Sequence, residues 1–256
     1  MDALHQSKLP PHSRDESDVP PLRSRPLLAF DDVRKHFRLG EEVIRAVDGV
    51  TLTVGAGEIV ALYGPSGSGK STLMRIAAGV EAPDSGKVTV DGIDVTALSQ
   101  KESAAYRLNV VGWISQDTHL VEGTTALDNA AFKRLGAGRR LRDARRDVAP
   151  LLQALGLGDR AGQRVEHMSM GERQRVVVAR ALSLDPRVLL ADEPTGHLDR
   201  RRTSETLALL RETTHARGIA TLLVTHDEHA MDYADKVYTL QDGVLHAAAP
   251  GAVPRP

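Results

Sequence analysis

Cysteine is absent from the 256-residue chain. Disulfides, thiolate zinc sites, cysteine-ligated iron–sulfur clusters and a cysteine nucleophile are thereby excluded. The absence fits a reducing compartment. Aromatic residues are scarce, at 3% with the single tryptophan Trp113. Net charge is nearly absent too, since 33 Lys+Arg face 34 Asp+Glu. That balance argues against a strongly basic nucleic-acid binder, and no nucleic acid is expected as a partner. No run approaches the roughly 18 consecutive apolar residues of a membrane-spanning helix. Ile219–Val224 is among the longest, and Thr221 interrupts it. Any membrane-spanning role is expected to fall to another chain. No apolar stretch of roughly 7–15 residues follows the N-terminus, so no secretory leader is expected.

Proline is sparse in the middle and dense at the ends. Eight of 13 prolines lie in two tails: Pro10, Pro11, Pro20, Pro21 and Pro26, then Pro250, Pro254 and Pro256. Residues 1–26 and 247–256 are read as disordered tails, the first with a docking arm as its alternative use. Between them, residues 27–246 alternate strand and helix patterns. Leu28–Phe37, Val50–Val54, Glu58–Tyr63, Val188–Ala191 and Ala220–Thr225 read as strands. Ser71–Gly79, Gly171–Leu184, Thr203–Arg217 and much of 133–163 read as helices. Asp91-Gly92 and Asp242-Gly243 mark hairpin turns. Apolar strands separated by helices indicate an α/β fold with a mostly parallel sheet. Hydrophobic content of 41% suits a packed core.

The strongest motif is Gly64-Pro65-Ser66-Gly67-Ser68-Gly69-Lys70-Ser71, a full GxxxxGK[ST] between an apolar strand and a helix. Its glycines let backbone N–H groups curl around phosphate oxygens, and the helix N-terminus adds positive potential. Lys70 brings a full charge to the β/γ-phosphates, and the Ser71 hydroxyl can ligate Mg2+. The strand Val188–Ala191 ends in Asp192-Glu193, 122 residues after Lys70. A carboxylate at a strand tip beside the loop can hold Mg2+, and its neighbour can polarise a water. These two stations read as a nucleotide binder with hydrolytic equipment.

Further segments narrow the class. They are Trp113-Ile114-Ser115-Gln116, Met168-Ser169-Met170-Gly171-Glu172, Asp192-Glu193-Pro194-Thr195-Gly196-His197-Leu198-Asp199 and Val224-Thr225-His226-Asp227. With the phosphate loop, this order resembles the nucleotide-binding subunits of ABC transporters over about residues 27–246. The resemblance implies a P-loop NTPase core, an antiparallel β subdomain and a helical signature subdomain at about 117–185. It implies ATP and Mg2+ as ligands. Phe37 falls where the family places an aromatic against adenine, and Gly64–Thr72 where it places the phosphate loop, Thr72 included. Gln116 matches the glutamine that contacts Mg2+ or the attacking water. Ser169, Gly171 and Glu172 match the signature, which binds the nucleotide of the opposite subunit. Asp192 matches the metal-binding aspartate, Glu193 the catalytic base, Asp199 the aspartate of the following loop and His226 the switch histidine. The signature departs from the usual Leu-Ser-Gly-Gly at Met168 and Met170. A signature at a helix N-terminus is a second anion site. Two copies facing head to tail, as a homodimer or pseudo-symmetric dimer, would use both sites.

Thr125-Ala126-Leu127-Asp128-Asn129 is similar to the corresponding segment of the lipoprotein-release and macrolide-export ATPases. This resemblance implies transmembrane permease partners, contacted near His119, Leu120 and Val121. It implies an export-type system peripheral to the inner face of the cell membrane, reached from the cytoplasm. Mechanical signalling across the membrane is the alternative, and a non-transport ABC ATPase a more distant one. His226 and His229 lack HExxH spacing and are not expected to bind metal. Lys133, Arg134, Arg139, Arg140, Arg142, Arg145 and Arg146 are expected to form a solvated helix face interleaved with Asp143 and Asp147. Acidic phospholipid headgroups are an alternative partner for that face. Ser169 lacks the GxSxG context of a hydrolase nucleophile.

Overall fold

A computed structural model describes residues 25–196 and 198–247. The expected disordered tails lie almost wholly outside the described residues, as does His197. In chain order the elements are β1 (Leu28–Leu39), β2 (Glu42–Val54), β3 (Ile59–Tyr63), α1 (Lys70–Ala77), β4 (Ser85–Val90) and β5 (Ile93–Asp94). Next come α2 (Gln100–Asn109), β6 (Val111–Ile114), α3 (Ala126–Gly136), α4 (Leu141–Ala154) and α5 (Met170–Leu182). The chain continues through β7 (Val188–Asp192), α6 (Arg200–Arg217), β8 (Ala220–Thr225), β9 (Lys236–Gln241) and β10 (Val244–Ala247).

Two sheets form. The first is antiparallel, in the order β2-β1-β4-β5. The second runs β10-β9-β3-β8-β7-β6. Its strands are parallel except for the β9–β10 hairpin at one edge. The apolar runs of β3, β7 and β8 follow from burial on both faces. Alternate residues divide between two cores. Ile59, Ala61, Leu189, Ala191 and Leu223 join the core that includes α3, α4 and α5. Val60, Leu62, Val188, Leu190, Leu222 and Val224 join the core shared with α1 and the antiparallel sheet. The central sheet is thus sandwiched, which accounts for the absence of polar alternation along its strands.

Both Asp-Gly turns form as expected. Asp91 and Gly92 have φ +48 and +82, and Asp242 and Gly243 have +49 and +78. Two consecutive positive φ values match the twist of the flanking strands.

Several boundaries move. The strand read as Val50–Val54 begins at Glu42 and pairs with β1 through a turn at Gly40-Glu41, pairing Leu39 with Glu42. Helix α2, unforeseen, carries a capping box in which Ser99 and Glu102 bond reciprocally. The 133–163 stretch divides into the end of α3, all of α4 and connecting loops. The expectation of a fully solvated basic face is corrected at Lys133. Its ammonium donates to the Val111 carbonyl at 2.7 Å, and burial with Arg180 nearby lowers its pKa to about 8. Much of the remaining face is ion-paired: Arg134 and Arg139 with Asp147, and Arg145 with Asp128.

Candidate nucleotide site

Every catalytic candidate lies at or just beyond the carboxyl end of a parallel strand. Strand β3 runs into the phosphate loop, β6 leads to Gln116, β7 ends in Asp192, and β8 delivers His226. Ligands of open α/β sheets bind at such ends.

The phosphate loop is shaped by what presses on it. Gly69 has φ +102, and a Cβ there would overlap the Ala46 carbonyl oxygen. A Cβ on Gly64 would overlap the Leu240 carbonyl oxygen. Both glycines are therefore demanded by close approach of backbone from β2 and β9. Gly69→Ala is expected to lower stability by about 2 kcal/mol or more, combining steric overlap with a disfavoured φ. Thermal denaturation reads this as a fall of about 5 °C in Tm, and an unchanged Tm would remove the packing argument.

Lys70 opens α1 and is buried. Its Nζ donates to the carbonyls of Gly64 at 2.6 Å and Pro65 at 2.7 Å, and to Ser68 Oγ at 3.4 Å. Burial lowers its pKa, opposed by the charges of Glu193 and Asp192. A cation so held offers a strong attraction to an arriving phosphate.

Asp192 has its pKa raised, first by burial and then by Glu193, with Lys70 opposing. Glu193 is one of few non-glycine residues at positive φ, +46. Its N–H donates to the Val224 carbonyl at 2.9 Å. Thr225 Oγ1 donates to its Oε2 at 3.1 Å, and His226 Nδ1 lies 2.7 Å from Oε1. The left-handed turn and two side-chain partners aim this carboxylate. His226 itself is largely exposed.

The cleft so formed has a volume of about 720 Å3. Phe37, Ser66–Thr72, Gln116, Asp192, Glu193 and His226 line it, with Ile44 and Ala46. Gly64 and Pro65 lie behind it and hold Lys70. Phe37 is exposed at the rim, with the Lys35 ammonium 5.5 Å from its ring centre. Ile44 and Ala46 were missed by sequence reading, as was Thr225. Recognising the full β1–β2 hairpin would have brought Ile44 opposite Phe37, its register partner.

Ser71, Asp192 and Gln116 all line the cleft and carry side-chain oxygens, a hard donor set that fits Mg2+. The half-buried Asp192, its pKa raised, is the carboxylate such a cation would compensate. Among the described residues no group of three or more His, Cys, Asp or Glu could hold a metal. His229 packs elsewhere, with its Nε2 2.9 Å from Ser204 Oγ and its ring edge-on to Tyr233.

The signature residues gather at a different place. Ser169 caps α5, accepting from the Glu172 N–H at 3.4 Å while Glu172 accepts from the Ser169 N–H at 2.8 Å. Gly171 is buried against Arg202, where a Cβ would meet Cδ at 3.3 Å. Asp199 caps α6 by accepting from the Arg202 N–H at 2.9 Å. The N-termini of α5 and α6 are thus neighbours. Met168 is buried and Met170 exposed, so the departure from the usual signature leaves the cap intact. Ser169, Gly171, Glu172 and Asp199 do not line the cleft that holds the phosphate loop.

The family model for ABC transporters matches residues 47–196, more than half of the chain. The chain belongs to the ABC transporter family. It is 42% identical over 226 residues to the lipoprotein-releasing system ATP-binding protein LolD of Anaeromyxobacter dehalogenans, covering 88% of this chain and 95% of that one. It is 42% identical over 219 residues to the macrolide export ATP-binding/permease protein MacB of Chlorobaculum tepidum, covering 86% of this chain. The match spans only 33% of that relative's length. Among solved structures, an ABC cassette dimer in a post-hydrolysis state, MJ0796 bound to ADP and Pi, superposes with TM-score 0.76 at 30% identity. That likeness covers 86% of this chain and 98% of the other. The mixed α/β architecture is that of an ABC ATPase cassette.

Proposed function

We propose that this ABC-family chain is a nucleotide-binding subunit that hydrolyses ATP with Mg2+ and drives a membrane permease in an export-type system. One observation carries the reading: the phosphate loop, Gln116, both acids and His226 share a cleft from which the signature is excluded. A signature beyond reach of its own cleft is explained if a second copy supplies it. Two copies facing head to tail then complete two equivalent sites. The dimeric cassette bound to ADP and Pi supports this arrangement.

The mechanism follows from the residues present. Backbone N–H groups of 66–72 and the Lys70 ammonium neutralise the β- and γ-phosphates. Ser71, Asp192 and Gln116 would hold Mg2+, which when bound would supply charge neutralisation to the bound nucleotide. Glu193, aimed by Thr225 and His226, orients the attacking water and accepts its proton. Ser169 and the α5 N-terminus of the facing copy close on the γ-phosphate. Phe37 and Ile44 offer apolar surface to the adenine.

Among the described residues no helix is long and apolar enough to cross a membrane. The LolD relative is matched over 95% of its length and is named an ATP-binding protein of a lipoprotein-releasing system, which supports the reading of a nucleotide-binding subunit. The proposed location is the inner face of the cell membrane. The test is copurification from native membranes with ATPase assay of the complex. A permease-like partner that stimulates hydrolysis is expected. A ribosomal or DNA-repair partner, with no membrane protein, would contradict the proposal.

A further inference from the structure

The segment carrying Gln116 leaves β6 at Ile114 and re-enters regular structure only at Ala126. Its backbone is nevertheless tied down at defined points. Arg180 lies near the carboxyl end of α5, the helix whose first turn bears Gly171 and Glu172. Its Nη1 donates to the His119 carbonyl at 2.8 Å, and its Nη2 to the Thr118 carbonyl at 3.0 Å. His119 has φ +38, a left-handed conformation that needs holding. Further along, the buried Asn129 of α3 accepts from the Val121 N–H at 2.8 Å and donates to Thr124 Oγ1 at 2.8 Å.

The two anchors differ in what they join. Asn129 fixes the distal half of the segment to α3. Arg180 fixes the half next to Gln116, and fixes it to the signature helix. A guanidinium carries its donors in a rigid fork, so bonding two successive carbonyls constrains the direction of both peptide planes. Gln116 in turn packs against Gly196, where a Cβ would sit 3.3 Å from its Nε2.

We propose that Arg180 is a positioning residue: by fastening the Thr118–His119 backbone to α5, it sets where the Gln116 amide lies in the cleft and ties that position to the signature. The inference rests on the reading of Gln116 as part of the ATP site. Arg180 is not itself among the residues that line the cleft. It acts through the glutamine. Movement of α5 against the central sheet then carries Gln116 with it.

The test is a double-mutant cycle in the full chain. Arg180→Met keeps the side-chain stem and removes both donors. It is expected to lower kcat about 10-fold, as misplacement of a site group does, while KM for ATP stays within about 2-fold because the phosphate loop is untouched. Arg180→Lys keeps the charge and is expected to recover part of the loss. In a Gln116→Ala background Arg180→Met should have no further effect, since the group it positions is gone. A merely structural Arg180 would give the same fold-loss in both backgrounds. That result overturns the proposal and leaves the site assignment standing. A Gln116→Ala chain with unchanged kcat would instead remove the glutamine assignment, and the proposal with it. If Arg180→Met does not fold, Arg180→Lys goes through the same cycle: a loss that vanishes without Gln116 supports the proposal, and an equal loss or no loss overturns it.

Discussion

Glu193→Gln is expected to cut steady-state ATP turnover by about 10³-fold while leaving ATP binding within a few-fold of the native chain. The magnitude is that of removing a general base. Glutamine has the shape of glutamate and keeps an oxygen for the Thr225 hydroxyl, which donates to Glu193 at 3.1 Å. It cannot take a proton from water. Binding is expected to be spared because the proposed phosphate ligands, the loop and Lys70, are untouched. Closure therefore proceeds and reopening does not, so ATP-loaded dimer accumulates. Single-turnover hydrolysis and size-exclusion chromatography read the two effects separately. Turnover within about 3-fold of native would refute Glu193 as the base.

Lys70→Ala acts on the other half of the reaction. It is expected to raise Kd for ATP about 100-fold, the loss of a charge-assisted contact of about 2–3 kcal/mol. The fold is expected to tolerate the change. Lys70 is a desolvated cation whose pKa burial lowers, so removing it also removes an unfavourable burial. What is lost is its grip on Gly64 and Pro65. Calorimetric titration measures the affinity, and a melt alongside it separates a binding defect from unfolding. Unchanged affinity would withdraw the phosphate-loop assignment.

The legible parts of this site were those whose chemistry is local. Gly64–Ser71 declares itself because turn, charge and helix start are contiguous. Asp192 and Glu193 were readable because an apolar strand ends on them. The central strands were readable because burial on both faces keeps them largely apolar, with no polar alternation to blur them. Ile44 and Ala46 were invisible for the opposite reason. They carry no chemistry, and reach the cleft only because β2 pairs along the full length of β1. The stretch Val43–Gly49 mixes apolar and charged residues, so no strand period stood out. Helix α2 was missed because it buries only Ser103 and Tyr106, too narrow a stripe to show a helical period. Thr225 looked like the end of a core strand, and its bond to Glu193 depends on β7 and β8 being neighbours. Lys133 was lost among arginines. Its burial is set by the start of β6, far away in sequence.

The central claim is that each nucleotide lies between the phosphate loop of one copy and the signature of another. A dimer of two differently tagged copies tests it, with Glu193→Gln in both so that bound ATP is retained. Lys70→Ala disables a phosphate loop. Ser169→Asp disables a signature by placing negative charge against phosphate, while keeping a side chain able to cap α5. With the two lesions on opposite copies, both fall in one composite site, and about half of the native ATP is expected to be retained. With both lesions on the same copy, each site carries one, and retention is expected to collapse. The reverse pattern, retention when one copy carries both lesions and collapse when they are divided, would place the signature beside its own phosphate loop and contradict the account.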